Sequence, residues 1–259
     1  MTSLLLARRP GPAGVLVELG VVAVALVANL TVRWLTLDDL DVALTHAHDV
    51  LALEQVWHLD WEHAAQDAVR AVPWLGSAGA WFYVWGYLPV VALALTVLFV
   101  RHPHAYARLR NALVVSGLMG LALYLLYPLA PPRLTDLGYA DPVGSSVVEP
   151  SARPVGIANE IAAMPSFHVG YLVVVSVVVL GVTGSALVRA WCVLHPLAMC
   201  WVVVATGNHW VVDLPAGVAV GVLGLLVADR VAEVVRVRGR TGPVAGPPQP
   251  RPGTTRPCS

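Results

Sequence analysis

His209 and Asp213 stand four apart in Thr206-Gly207-Asn208-His209-Trp210-Val211-Val212-Asp213. On a helix that spacing puts both on one face. A carboxylate there holds one imidazole nitrogen and leaves the other with a free lone pair, for attack or for proton transfer. The same pair also reads as a polar staple between two helices. As metal ligands the two are too few, and no His-Glu-x-x-His pattern accompanies them. His168 lies in Met164-Pro165-Ser166-Phe167-His168-Val169-Gly170-Tyr171. Pro165 suits the first turn of a helix, and Ser166 with the first-turn N–H groups can face an anion. The plainer reading is a hydrogen-bonded histidine at a helix end. Arg133 closes Tyr127-Pro128-Leu129-Ala130-Pro131-Pro132-Arg133. Prolines end a helix there and leave a guanidinium on a stiff backbone. Its fork of donors suits a pair of phosphate oxygens, or the side chain simply snorkels to an interface.

The elements that carry these residues are apolar. Of 259 residues, 57% are hydrophobic and 12% charged, with a mean hydropathy of +0.70. An average soluble domain is about 25% charged. The composition excludes a disordered chain and a nucleic-acid binder with a basic face, and it argues against an ordinary soluble enzyme. Sixteen cations balance sixteen acids, and every cation is arginine. Three cysteines give no disulfide framework.

A bilayer core needs about 20 mostly apolar residues per helix. Six stretches qualify, near residues 15–35, 79–100, 112–130, 165–182, 187–206 and 209–228. The first follows Arg8-Arg9 but is too long for a signal peptide and lacks a clear cleavage site, so it reads as a retained anchor. With the N-terminus in the cytoplasm, only Arg33, Arg70, Arg133 and Arg153 of the sixteen arginines fall outside. That bias supports an even number of spans with both ends inside. Residues 38–75 are acidic and contain His46, His48, His58 and His63. Val50, Leu53, Val56, Trp57, Trp61, Ala64, Ala65 and Ala68 recur at helical spacing there, which predicts amphipathic helix along the outer surface. The arginine-, proline- and glycine-rich end has no apolar periodicity and reads as a disordered tail.

This topology gathers the polar segments. His168 enters the membrane from outside, one span descends, the next returns, and His209 arrives at the same face, where Arg133 also lies. His195 falls mid-span, about 20 Å along the helix from His209, and reads as a structural interior residue beside Pro196. Two histidines, an aspartate and an arginine without a metal site suit phosphoryl transfer through a phosphohistidine. His209 attacks phosphorus and Asp213 fixes its tautomer. Arg133, Ser166, Asn208 and backbone N–H groups hold phosphate oxygens. His168 protonates the leaving alkoxide and then deprotonates water or an alcohol. Acid lowers such a rate, because a protonated His209 cannot attack.

These residues resemble the type-2 phosphatidic acid phosphatase superfamily, which includes lipid phosphatases and vanadium haloperoxidases. In that family a Pro-Ser-Gly-His block supplies the acid/base histidine. A Ser-Arg-x5-His-x3-Asp block supplies the nucleophile and its aspartate. Here Phe167 replaces the glycine and Val202-Val203 replace Ser-Arg. Of a Lys-x6-Arg-Pro block only Arg133 remains, with Leu126 and Leu134 at the other places. These departures are similar to the inositol phosphorylceramide synthase-like, or inositolphosphotransferase-like, branch. Its bacterial members show Tyr-Pro-x-Ala-Pro-Pro-Arg, Met-Pro-Ser-x-His and Thr-Gly-Asn-His-x-x-x-Asp. Leu53-Glu54, Trp61-Glu62 and residues 81–87 also look like that group.

The resulting expectation is an all-α polytopic membrane bundle of about six transmembrane helices plus an interfacial amphipathic segment. Residues 1–14 form a cytoplasmic N-terminus, 15–230 the membrane domain and 231–259 the tail. Within the membrane domain, 130–163 is an extracytoplasmic active-site loop. The expected enzyme is a lipid phosphatase or phosphotransferase of a bacterial cell membrane, with no cofactor and no metal. Its donor is a lipid phosphate or phosphoinositol-type lipid and its acceptor water or a polyol. A transporter using the His–Asp pair as a proton relay, and haloperoxidase chemistry on vanadate, are the rival readings.

Overall fold

A computed structural model describes residues 12–36, 38–149 and 159–240 of the chain. Among them, α1 (Pro12–Leu35) comes first, then α2 (Leu40–Val56) and α3 (Glu62–Ala71). α4 (Pro73–Trp85), α5 (Leu88–Arg101) and α6 (Pro103–Leu126) follow, with a 3-10 turn at Pro132–Leu134. α7 (Phe167–Leu180), α8 (Ala186–Ala205) and α9 (Asp213–Arg240) complete the fold. No β-strand is formed by the described residues, and the chain is a helical membrane bundle.

Four segments are long and apolar enough to cross a bilayer: 14–35, 74–101, 103–126 and 186–205. α7 is shorter but apolar, and α9 is uncharged from Leu214 to Ala228. Large side chains such as Leu16, Leu19, Trp34, Leu93, Leu126 and Leu197 stand exposed on these helices. Water would not tolerate so continuous an apolar surface, whereas lipid does.

α9 is the hub and packs against α6 and α7, while α8 covers α7, and α1 rests on α6. The core joins Leu109, Ala112, Leu172, Val175, Met199, Val203 and Leu225. Glycines let α7 and α9 approach closely. A Cβ on Gly221 would come 2.8 Å from the Gly170 carbonyl oxygen, and one on Gly217 would strike the Ser166 backbone. Small residues at such a crossing are how membrane helices gain packing. At the other end, Arg108 donates to Asp229 from Nε and Nη2, both at 2.8 Å, joining α6 to α9. Arg110 pairs with Glu18 and ties α1 to α6.

Several boundaries differ from the sequence expectation. The second span is two helices, α4 and α5, broken at Gly86-Tyr87 because Pro89 in the first turn of α5 has no N–H. Buried His195 answers the break: its Nε2 donates to the Gly86 carbonyl at 2.7 Å. The third span starts at Pro103 rather than near residue 112, since ion pairs satisfy Arg108 and Arg110 inside the helix. α7 begins at Phe167, with Ser166 as its N-cap and Pro165 before it. α9 begins at Asp213 rather than His209 and continues to Arg240, past the expected tail boundary at 231. Residues 241–259, like 1–11, lie outside the described part.

The 38–75 segment is helical, and the stripe it buries carries three polar residues. α2 buries Ala43, Ala47, Val50 and Glu54, and α3 buries Glu62, Gln66 and Val69. Leu53, Val56, Trp57 and Trp61 are exposed. The inward face meets polar backbone of a loop, so carboxylates and amides serve there better than aromatics.

Candidate active site

The loop from Thr206 to Val212 connects α8 to α9. Gly207 adopts a φ of 68°, a left-handed conformation that glycine takes without a Cβ penalty. The carbonyl of Val203 then accepts the N–H groups of Asn208 at 3.0 Å and His209 at 3.1 Å. This tight turn throws His209 out of the helix, so it does not share a helical face with Asp213. The pair forms nonetheless. His209 Nδ1–H donates to Asp213 Oδ2 at 3.2 Å, and the same oxygen accepts the Trp210 N–H at 2.8 Å. Asp213 is fully buried and His209 is 5% exposed. The bond leaves Nε2 of His209 with its lone pair.

His168 sits in the first turn of α7, and its ring centroid lies 5.7 Å from that of His209. The backbone sets this spacing directly: the Ser166 N–H donates to the Asp213 carbonyl at 3.1 Å. The His168 ring packs between Tyr83, at 4.3 Å, and Tyr87, at 4.2 Å. Both tyrosines flank the α4–α5 break, which gives that irregularity a purpose. Tyr124 OH donates to the Pro165 carbonyl at 2.9 Å and steadies the turn that precedes His168.

Arg133 reaches the same loop. Its N–H donates to the Gly207 carbonyl at 3.0 Å and its Nε to Asn208 Oδ1 at 3.1 Å. Glu160 Oε2 lies 3.6 Å from its Nη1. The Asn208 amide donates in turn to Thr206 Oγ1 at 2.9 Å and to the Thr206 carbonyl at 3.3 Å. Its polar atoms therefore orient Arg133. Ser166 is fully buried, and its Oγ has no hydrogen-bond partner among the described residues. Arg153 lies outside the described residues.

Framework contacts lock the segments together. Trp210 is fully buried and donates from Nε1 to the Ala130 carbonyl at 2.9 Å. Ala130 N–H donates to the Ala43 carbonyl, and Leu129 pairs with the backbone around Ile161 and Ala163. His46 stacks on Tyr127 and donates from Nδ1 to the Pro128 carbonyl at 2.7 Å, while His63 stacks on Tyr139. Two of the four histidines of the 38–75 segment thus pin site loops.

A family model of the PAP2 superfamily matches residues 48–227, most of the chain. The chain belongs to the PAP2 superfamily. No curated protein and no solved structure matches it. Membership makes this integral membrane protein a phosphatase-type enzyme of a superfamily that acts on lipid phosphates. The match includes the arginine, both histidines and the aspartate discussed above.

Sequence reasoning gave no role to Glu54, Glu62, Tyr83, Tyr87 or Trp210. For the glutamates a signal existed. Residues 43, 47, 50 and 54 repeat at helical spacing, as do 62, 66 and 69, so each acid lies in phase with a buried stripe. The tyrosine clamp had no such signal, because it depends on where the α4–α5 break falls against α7.

Proposed function

We propose that this PAP2 enzyme is a lipid phosphatase or phosphotransferase that forms a phosphohistidine at His209. The observation that carries the reading is the His209–Asp213 bond, with a second histidine one ring's reach away. Asp213 holds Nδ1 and opposes the positive charge that grows on the imidazole during attack. The Nε2 lone pair forms the N–P bond while the P–O bond to the lipid breaks, and His168 gives its proton to the departing alkoxide. His168 then takes a proton from water or a polyol hydroxyl. The oxygen so activated attacks phosphorus, the N–P bond breaks, and His209 is restored. Arg133, aligned by Asn208, supplies the cationic fork for the non-bridging oxygens, and Ser166 Oγ lies beside the same turn.

The donor is a phospholipid or phosphoinositol-type lipid, and the chain fits the inositolphosphotransferase-like branch. Val202 and Val203 are buried where other members carry Ser-Arg. A site with fewer cations suits a singly charged phosphodiester better than a dianionic monoester, which favours head-group transfer to a polyol. The arginine distribution supports an extracytoplasmic site and cytoplasmic termini in a bacterial cell membrane.

Detergent-purified protein given phosphatidic acid or phosphatidylinositol, with and without myo-inositol, separates the options. Transfer of the phosphorylated head group to the added polyol, with release of the lipid alcohol, is the expected result. Phosphate release from phosphatidic acid, indifferent to inositol, would assign hydrolysis instead. Equal turnover by His209→Ala would overturn the mechanism.

A further inference from the structure

Three successive amides follow His209, and each is held by a different carboxyl group. Trp210 N–H donates to Asp213 Oδ2 at 2.8 Å, Val211 N–H to Glu62 Oε1 at 2.8 Å and Val212 N–H to Glu54 Oε1 at 2.7 Å. All three acids are at most 1% exposed. Because they take adjacent amides of one turn, the Glu54 and Glu62 carboxyl groups stand side by side. The remaining oxygen of each, Oε2, is buried and receives no hydrogen bond from any donor among the described residues. Two carboxylates facing each other away from water cannot both keep their charge, whereas one shared proton turns the repulsion into a short hydrogen bond.

We propose that Glu54 and Glu62 are positioning residues, a carboxylic acid–carboxylate pair that shares one proton and clamps the Val211 and Val212 amides to hold His209 in register with His168. The acids come from α2 and α3, outside the spans, and the loop from between α8 and α9, so the pair is also what fastens the interfacial segment to the site. Burial foremost, then Glu62 and Asp213, pushes the Glu54 carboxyl up to about 9. Burial and Asp213 raise Glu62 as well. Among the described residues the Tyr139 phenol also lies near the pair, and burial and both glutamates keep it neutral. α8, packed against α3, brings no charge there. A proton held to about pH 9 is present at neutral pH and leaves above it. The two carboxylates then repel beside Asp213 and the clamp opens.

The role assigned to His209 rests on the proposed function; the shared proton does not, so it is read separately. Infrared difference spectra between pH 7 and pH 10 should show a protonated buried carboxyl that is lost in the alkaline state. The band should be absent from Glu54→Gln/Glu62→Gln. A wild-type spectrum identical to that of the double variant would overturn the pair. Turnover tests its effect on His209. Glutamine keeps the accepting oxygen and supplies N–H where the shared proton was. Glu54→Gln and Glu62→Gln should each keep kcat within about threefold of wild type at neutral pH. Glu54→Gln should also retain its rate above pH 9, where wild type declines. Glu54→Ala should lose about tenfold or more in kcat with little change in KM. Glutamine variants as impaired as alanine, or alkaline decline identical in wild type and Glu54→Gln, would overturn the positioning role. Loss of all turnover in wild type with the infrared band intact would count against the enzymatic reading alone.

Discussion

The proposed mechanism gives Asp213 and His168 different tasks beside His209, so their removal should leave different traces. Asp213→Asn keeps the volume and the Trp210 contact but replaces a carboxylate with an amide that stabilises no imidazolium. We expect kcat to fall by about 10³–10⁴, with KM nearly unchanged, in steady-state assays. His168→Ala should lower kcat by about 10²–10⁴ on lipid donors. A donor with a good leaving group, such as an aryl phosphate ester, should lose much less, since its departure needs no proton. Equal losses on both donors would deny His168 the acid role. Asn208 acts on Arg133, and Asn208→Ala should therefore raise KM for the lipid phosphate while Asp213 variants do not. The residues of this cluster were legible from their types and spacing, because two histidines, an aspartate and an arginine at one membrane face have few common purposes. Asn208 was expected as a phosphate holder, but its bond to Arg133 was not legible. Its amide is engaged by Arg133, 75 positions away in the chain, and no local pattern encodes that.

At the scale of elements, the site depends on how closely α7 meets α9. Gly217 lies against the Ser166 backbone, and an added methyl would force the two helices apart. Gly217→Ala should cost about 1–3 kcal/mol of stability by overpacking. It should also cost activity, because Ser166 and Asp213 carry His168 and His209. A variant with wild-type kcat and unfolding midpoint would show that the close approach is dispensable. His195 provides the contrasting case. His195→Leu removes the donor to the Gly86 carbonyl at the α4–α5 break and should cost about 1–3 kcal/mol. Activity should fall less than stability unless the Tyr83–Tyr87 clamp shifts. The sequence marked each apolar run, since length and hydropathy are local properties. It did not mark how the Gly86 carbonyl at the break is satisfied or the early start at Pro103, because a histidine from another helix and two ion pairs decide them. The buried glutamates of α2 and α3 have the same cause: each is stable there because an amide of a distant loop donates to it.

For the whole molecule, the proposed orientation, argued from the arginine bias, would put the histidine end outside and the α7–α8 turn inside. Ser145, near the histidines, and Ser185, at the far turn, are both exposed. In a cysteine-free background, a membrane-impermeant thiol reagent on intact cells should label Ser145→Cys and spare Ser185→Cys. The opposite pattern would invert the topology. Stability should carry a pH signature as well. Glu54 keeps its proton in the fold to about pH 9, while an unfolded glutamate releases it near the ordinary value of 4.5. The stability that Glu54 contributes is thus fully present below that value and declines as pH climbs toward 9. The unfolding midpoint should fall over this window in wild type and fall less in Glu54→Gln. The membrane class was legible from composition and six apolar runs. The acid pair that makes stability depend on pH was not, for it exists only once α2, α3 and the α8–α9 loop have met.

The central claim is that phosphorus passes through His209. Its most direct test is rapid quenching of the purified enzyme during turnover of a lipid donor labelled in its phosphate. Digestion and mass spectrometry then follow at alkaline pH, where phosphohistidine survives. A phosphorylated peptide containing His209 is the expected result. The label should be lost on acid treatment, absent in His209→Ala and accumulated in a His168 variant given an activated aryl phosphate. Full turnover with no label on His209 at any quench time, or turnover retained by folded His209→Ala, would contradict it.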